Sequence, residues 1–230
     1  MARQFGRFAV GVVAVLSLLP STLAPTKNGA AHARAATTIF TEAKTAMMNA
    51  TSFHVLGHFG SGAGETTIDM SMSPSKGGGS FQPFPGGTME VVVTASTVYI
   101  RADERTWQEL TGSKSTAELV ANRWVKEPEA NPSYPSIVEF TDSRRFVGLL
   151  TTGLAGFSEL AAQARFRGRP AVVLTDSEHD KIYVAASGTP YLLGIQGQGN
   201  GSSGSMVFSD FGDAPMPAVP AHAVNLPKDG

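Results

Sequence analysis

The sequence predicts an α+β protein built chiefly of antiparallel strands. Three observations carry that reading. Short alternating segments follow one another from Phe166 to Phe211, a helical repeat runs from Ile39 to Ala50, and a glycine-interrupted apolar stretch lies between Val138 and Leu160. Side chains alternate across a strand, so each alternating segment buries one face and wets the other.

The N-terminus reads as a leader. Arg3 and Arg7 precede the apolar run Phe8 to Leu19, Pro20 breaks it, and small residues continue to Ala31-His32-Ala33 and Ala33-Arg34-Ala35. A basic start, a short apolar core and an A-x-A-like site are the layout of a secretory signal. The run falls short of the roughly 20 apolar residues that a bilayer span needs. The expected organisation is therefore a leader over residues 1–35, one domain over 36–214 and a proline-rich tail over 215–230. The chain is expected in the cell envelope or outside the cell.

The leader carries Arg3, Arg7, Lys27 and Arg34 and no acid, so the mature chain is more acidic than the formal −1 of the whole sequence. Nothing in that balance favours nucleic acid. With no cysteine, the exported chain holds together without disulfides and has no thiol for catalysis.

After the Ile39–Ala50 helix, Phe53, Val55 and Phe59 alternate with His54, Leu56 and His58. Ile68, Met70 and Met72 alternate with Thr67, Asp69 and Ser71, and Met89, Val91 and Val93 with Glu90, Val92 and Thr94. Val98 and Ile100 follow. Each segment fits a half-buried antiparallel strand. Gly77-Gly78-Gly79 and Gly86-Gly87 flank Pro83-Phe84-Pro85, a composition that predicts a flexible loop rather than a central strand.

Thr116–Ala121 reads as a short helix and Arg123–Lys126 as a short strand stopped by Pro128. Val138–Leu160 carries Phe140, Phe146, Phe157 and several leucines between Gly148, Gly153 and Gly156, which predicts two or three short helices. Strands are then expected at Gln163–Phe166, Ala171–Thr175, Lys181–Ala185, Tyr191–Gln196 and Ser205–Phe211, joined as a meander. The tail is expected to run along an edge or hang free.

In this order the elements resemble the LolA/LolB-like fold, and more closely the actinobacterial envelope lipoproteins typified by mycobacterial glycolipid carriers. The residues that carry the resemblance are Thr51-Ser52-Phe53-His54-Val55, Val98-Tyr99-Ile100-Arg101-Ala102 ahead of Trp107, and Asn122-Arg123-Trp124-Val125. Ile182-Tyr183-Val184-Ala185 leading to Pro190-Tyr191-Leu192-Leu193, and Phe208-Ser209-Asp210-Phe211, complete it.

The resemblance implies a curved antiparallel half-barrel around a hydrophobic cavity, lidded by the helices, that carries acyl chains without catalysis. It implies a lipid or glycolipid ligand, transient membrane contact, an envelope donor or acceptor protein, and a monomer. Members of that family carry a cysteine after the signal for lipid attachment. This chain has none, which favours a free form over an anchored one.

The residues expected on the cavity face are Phe53, Val55, Ile68, Met70, Met72, Val91, Val93, Ile182, Val184, Tyr191, Leu193 and Ile195. Methionines adapt to irregular contents such as an acyl chain. The same residues serve equally as an ordinary filled core, so a surface-acting interaction or sensing module is the alternative.

Arg144, Arg145, Arg165, Arg167 and Arg169 are the only basic concentration. They are headgroup candidates because arginine grips phosphate and carboxylate bidentately. A solvated strand face, with Arg165 and Arg167 outward and Phe166 inward, is the plainer account. Trp107 and Trp124 are expected as core anchors.

No catalytic residue, metal site or cofactor is predicted. On a strand, His54 and His58 would stand about 13 Å apart, too far to share an ion. Gly201-Ser202-Ser203-Gly204-Ser205 is no nucleophile elbow, and Gly60 to Gly64 lacks the lysine of a phosphate loop. Asp176, Glu178, His179 and Asp180 read as a solvated hairpin tip.

Overall fold

Twelve strands form one open sheet in the order β12-β6-β5-β4-β3-β2-β1-β11-β10-β9-β8-β7. The computed structural model describes residues 27–60, 65–82, 87–128, 141–152, 154, 156–157, 159–197 and 203–226. The strands are β1 Phe53–Gly60, β2 Thr66–Met72, β3 Gly77–Phe81, β4 Met89–Val93, β5 Thr97–Ala102 and β6 Val125–Pro128, then β7 Glu159–Phe166, β8 Arg169–Thr175, β9 Lys181–Ala185, β10 Leu192–Gly197, β11 Ser203–Ser209 and β12 Val224–Asn225. The described helices are α1 Lys27–Asn49, α2 Glu104–Thr111, α3 Lys114–Val120 and α4 Ser143–Thr152.

Two meanders, β1 to β6 and β7 to β11, meet where β1 pairs antiparallel with β11. All neighbours are antiparallel except β12, which lies parallel to β6. The α+β class, the closing meander and the open antiparallel sheet agree with the sequence reading. Helix α1 starts at Lys27, well before Ile39, so the expected processing site at Ala33–Ala35 lies within it.

Register fixes which side chains share a face. Phe208, Val55, Met70, Gly79, Val91, Ile100 and Val125 are successive cross-strand partners from β11 to β6. They form one apolar row across the sheet. The helices cover this concave face in two pieces. Ala36, Ala43 and Met47 of α1 and Phe146 and Val147 of α4 pack on the β1–β2 and β8–β11 side, with Phe157 beside them. Trp107 of α2 and Ala117 and Val120 of α3 pack on β4, β5 and β6.

The glycine segment is corrected. Gly77–Phe81 is the interior strand β3, paired with β2 on one side and β4 on the other. Glycine is required there by close approach. A Cβ on Gly77 would collide with the carbonyl oxygen of Thr141, and one on Gly78 with that of Val91. Pro83, Phe84, Pro85 and Gly86 lie outside the described residues.

Two further readings change. Among the described residues between Val138 and Leu160 lies one helix, α4, and Leu160 already belongs to β7; residues 138–140, 153, 155 and 158, Phe140 and Gly153 among them, lie outside the described residues. Helix α2 was not expected. Asp103 caps its start by accepting from the Thr106 N–H at 2.7 Å, and Gly112 at φ 70° ends it.

The tail does run to an edge, by a particular route. The Gly212 and Ala214 amides donate to the Ser52 carbonyl (2.8 Å) and hydroxyl (3.1 Å). Pro217 then crosses Gly78 on the face away from the helices, and Val224 joins β6 through its N–H to the Trp124 carbonyl at 2.8 Å.

Candidate functional site

The concave face beneath α1 and α4 gathers most of the residues expected there. Phe53, Val55, Ile68, Met70, Met72, Ile182 and Val184 are buried in one cluster, and Tyr191 and Ile195 pack against it. Alternation puts them there, and the β1–β2 and β1–β11 registers bring them side by side. Val91 and Val93 stand apart from them, in the second cluster beneath α2 and α3 with Met89, Ile100 and Trp107.

Leu193 is a correction. The β9–β10 register shifts between Leu192 and Gly194, so one extra residue enters β10. Such a bulge flips side-chain parity. Leu192, opposite Val184, joins the core cluster in place of Leu193, which is buried elsewhere.

Aromatic rings fill the space under the helices. The Phe53 ring stands 6.0 Å from Phe208 and 6.5 Å from Phe146, and Phe40 of α1 lies 5.0 Å from Phe157. Leu174, Leu192, Phe208, Met47 and Phe146 all belong to this interior; the sequence reading did not assign them to the cavity face. Phe208 was legible, since it shares a strand face with Met206 on the last meander strand. Phe166 does not point inward. Its ring lies 4.6 Å from Tyr183 and over Gly194, on the opposite face.

The basic residues gather at one end of the sheet without converging. Register places the β1 start, the β2 end, the β7–β8 turn and the β9–β10 connection at that same end. There Arg144 Nε reaches the Met48 carbonyl at the C-terminus of α1 (3.4 Å). Arg165 donates to the Gly168 carbonyl at 2.8 Å, and Arg167 takes φ 48° in the turn. Arg169 lies over the Phe211 ring, 6.0 Å from its centre. Arg145 lines a hollow among the described residues.

Among the described residues, two hollows open at this end. One of about 390 Å³ lies between α1 (Thr41, Glu42, Thr45, Ala46, Asn49) and Thr189, Pro190 and Tyr191. Tyr191 is held there by stacking on Phe211, 4.2 Å between centres and 5° between planes. The other, about 240 Å³, is lined by Pro74, Ser75, Lys76, Val93, Thr94, Ala95, Thr141, Asp142 and Arg145.

The remaining candidates find ordinary places. His54 Nε2 meets Asp69 Oδ1 at 2.7 Å on the outer face of the sheet. Asp176 Oδ1 accepts the Glu178 and Asp180 amides, both at 2.9 Å, which makes that cluster a hairpin turn. Trp107 is a core residue, whereas Trp124 is half-buried under Arg101, 5.1 Å from its ring centre. Among the described residues no three His, Asp or Glu side chains group to hold a metal, and no helix is long and apolar enough to cross a membrane. Gly201 and Ser202 lie outside the described residues.

The chain superposes on LprF from Mycobacterium bovis with a TM-score of 0.54 at 14% identity, over 80% of this chain and 97% of that one. The fold is the LolA/LolB-like half-barrel. The Mycobacterium tuberculosis lipoprotein LppX aligns at 11% identity over 79% of this chain and 97% of its own, with a TM-score of 0.46. MucB in the Pseudomonas aeruginosa MucA/MucB complex gives 16% identity, 81% and 59% coverage, and a TM-score of 0.35. No protein-family model matches the chain, and no curated protein matches it in sequence.

Proposed function

We propose that this half-barrel binds the acyl part of an amphiphile, a lipid or glycolipid, on its concave face and carries it without catalysis. The observation that carries the reading is the apolar row from Phe208 to Val125. It runs from β11 to β6 and is covered by two separate helical pieces rather than one. Displacing the α1–α4 piece would bare Phe53, Val55, Met70 and Met72 while the α2–α3 piece stayed in place. Apolar burial at about 25 cal/mol per Å² would then drive uptake. The methionines on this face, Met47, Met70 and Met72, adapt their shape to what replaces the helices.

Residues 1–35 direct export in this reading, and the lack of cysteine leaves the carrier unanchored. It acts as a monomer, touches the membrane transiently and exchanges cargo with an envelope donor or acceptor protein.

A second reading has a specific observation behind it. The close packing of Phe40, Phe53, Phe146, Phe157 and Phe208 is what a permanently filled core looks like, and it favours an interaction module acting through its surface. Native mass spectrometry of the exported protein, followed by solvent extraction, separates the two. Near-stoichiometric retained lipid establishes the carrier. An unshifted apo mass after incubation with envelope lipid extract establishes the module.

A further inference from the structure

The smaller hollow joins charged side chains from two separate elements. It is lined together by Lys76, from the turn between β2 and β3, and Arg145 of α4, with Thr94 and Thr141 also in its wall. Its inner wall is Val93, buried in the α2–α3 cluster. The parts hold one another in place. Ser73 forms an isolated bridge with Asp142, and the Ser143 amide donates to the Ser73 carbonyl at 3.2 Å. Ser73 also fixes Lys76, by donating its hydroxyl to that residue's carbonyl at 2.8 Å.

Charge is left over at this point. The ion pairs among the described residues are His54–Asp69, Arg101–Glu90 and Lys114–Glu118, so neither Lys76 nor Arg145 pairs with a carboxylate of a described residue. The one acid in the hollow, Asp142, accepts the Arg145 backbone N–H through Oδ1 at 2.8 Å. That bond caps α4 and directs the carboxylate toward the helix backbone. An ammonium and a forked guanidinium on one space suit a tetrahedral oxyanion. Val93 and Ala95 add an apolar flank for whatever the oxyanion is attached to.

We infer that this hollow is a phosphate-ester site, which takes the headgroup of a phosphate-bearing amphiphile while its chain passes Val93 into the concave face. This rests on the carrier reading for the chain, but not for the phosphate. Arg144, Arg165 and Arg167 stand outside the site.

The test is titration of the full-length protein with octyl phosphate, octyl glucoside and inorganic phosphate, each below any micelle concentration, in the native chain and in Lys76→Gln, Arg145→Gln and Arg167→Gln. Both residues of the site are exposed, so their variants keep the fold. Octyl phosphate is expected to bind about fivefold more weakly to each of K76Q and R145Q, and unchanged to R167Q. Octyl glucoside should not respond to any of them. Equal weakening by R167Q, or none by K76Q and R145Q, overturns the site. Inorganic phosphate binding as tightly as octyl phosphate makes this a free-phosphate site and overturns the headgroup assignment. If neither octyl compound binds while the phosphorus resonance of inorganic phosphate still responds to K76Q and R145Q, the carrier reading fails and the oxyanion site survives it.

Discussion

The ring of Pro217 lies against Gly78. A methyl group on Gly78 would stand 2.8 Å from Pro217 Cγ, with the Val91 carbonyl oxygen nearer still. The tail therefore straps the outer face of the sheet at the one interior strand that has almost no side chains. Gly78→Ala is expected to destabilise the fold by about 1–3 kcal/mol, as overpacking does. Urea denaturation of G78A, with and without the tail, measures it. The tail's removal should recover part of the loss and never all, because the clash with Val91 remains.

Deleting residues 215–230 tests the strap itself. Val224 and Leu226 pack partly buried against the α2–α3 cluster, and β12 covers the edge of β6. Losing them should cost about 1–2 kcal/mol of apolar burial. That corresponds to a drop in Tm of about 2–4 °C per kcal/mol for a chain of this size. Hydrogen exchange should accelerate at β6 and stay unchanged at β9. Uniform acceleration across the sheet would show that the tail stabilises the whole fold.

How far the sequence could be read follows from what each element is made of. Lys181–Ala185 is β9 at its expected bounds, because two clean alternations against polar neighbours leave no other choice. β3 was hidden because glycines carry no hydropathy signal; its pairing is set by what the flanking strands need. α2 was hidden because Glu104–Thr111 has few apolar residues, although Asp103, three before Thr106, and Gly112 were visible start and stop signals. The bulge that replaces Leu193 by Leu192 leaves no mark in composition. Among the headgroup candidates, five arginines looked alike in the sequence. Only the fold shows Arg144 at the end of α1, Arg165 and Arg167 in a turn, and Arg145 beside a lysine that no pattern connected to it.

Gly194 and Phe166 give a coupled pair. A Cβ on Gly194 would meet Phe166 Cε1 at 2.7 Å and Cε2 at 2.8 Å, so the ring takes the space a side chain would fill. Gly194→Ala should cost about 1–2 kcal/mol by pushing the ring off Tyr183. In the Phe166→Ala background the same change should cost close to nothing. A double-mutant cycle by chemical denaturation reads the coupling, and additive losses would show that the ring does not cover Gly194.

Asp103 supplies a pH dependence. Partial burial works against its charge, but hydrogen bonds from the Thr106 and Thr88 amides and the Thr106 hydroxyl, with the Arg105 charge, outweigh that and hold its carboxyl below the ordinary value. A carboxyl depressed in the folded state adds stability that is present above its unfolded pKa and lost as pH falls through the folded one. Asp103→Ala should cost about 0.5–2 kcal/mol at neutral pH, as loss of a helix cap does. Denaturation at neutral and strongly acidic pH should show the gap between native and D103A narrowing in acid. A constant gap would mean that the cap acts without its charge.

Phe157 separates carriage from a filled core. Its ring is buried against Phe40 of α1, 5.0 Å away, so it helps to hold the α1–α4 cover on the sheet. Phe157→Ala removes that hold and should lower stability by about 3–5 kcal/mol. In a carrier the same change lowers the work of displacing the cover and leaves room for methylenes. Uptake of an acyl probe should then become faster or tighter as stability falls. A filled module has no such opposition: it loses stability and gains no ligand. Binding of a fluorescent fatty acid, measured beside urea denaturation for native and F157A, decides it by the sign of one change against the other.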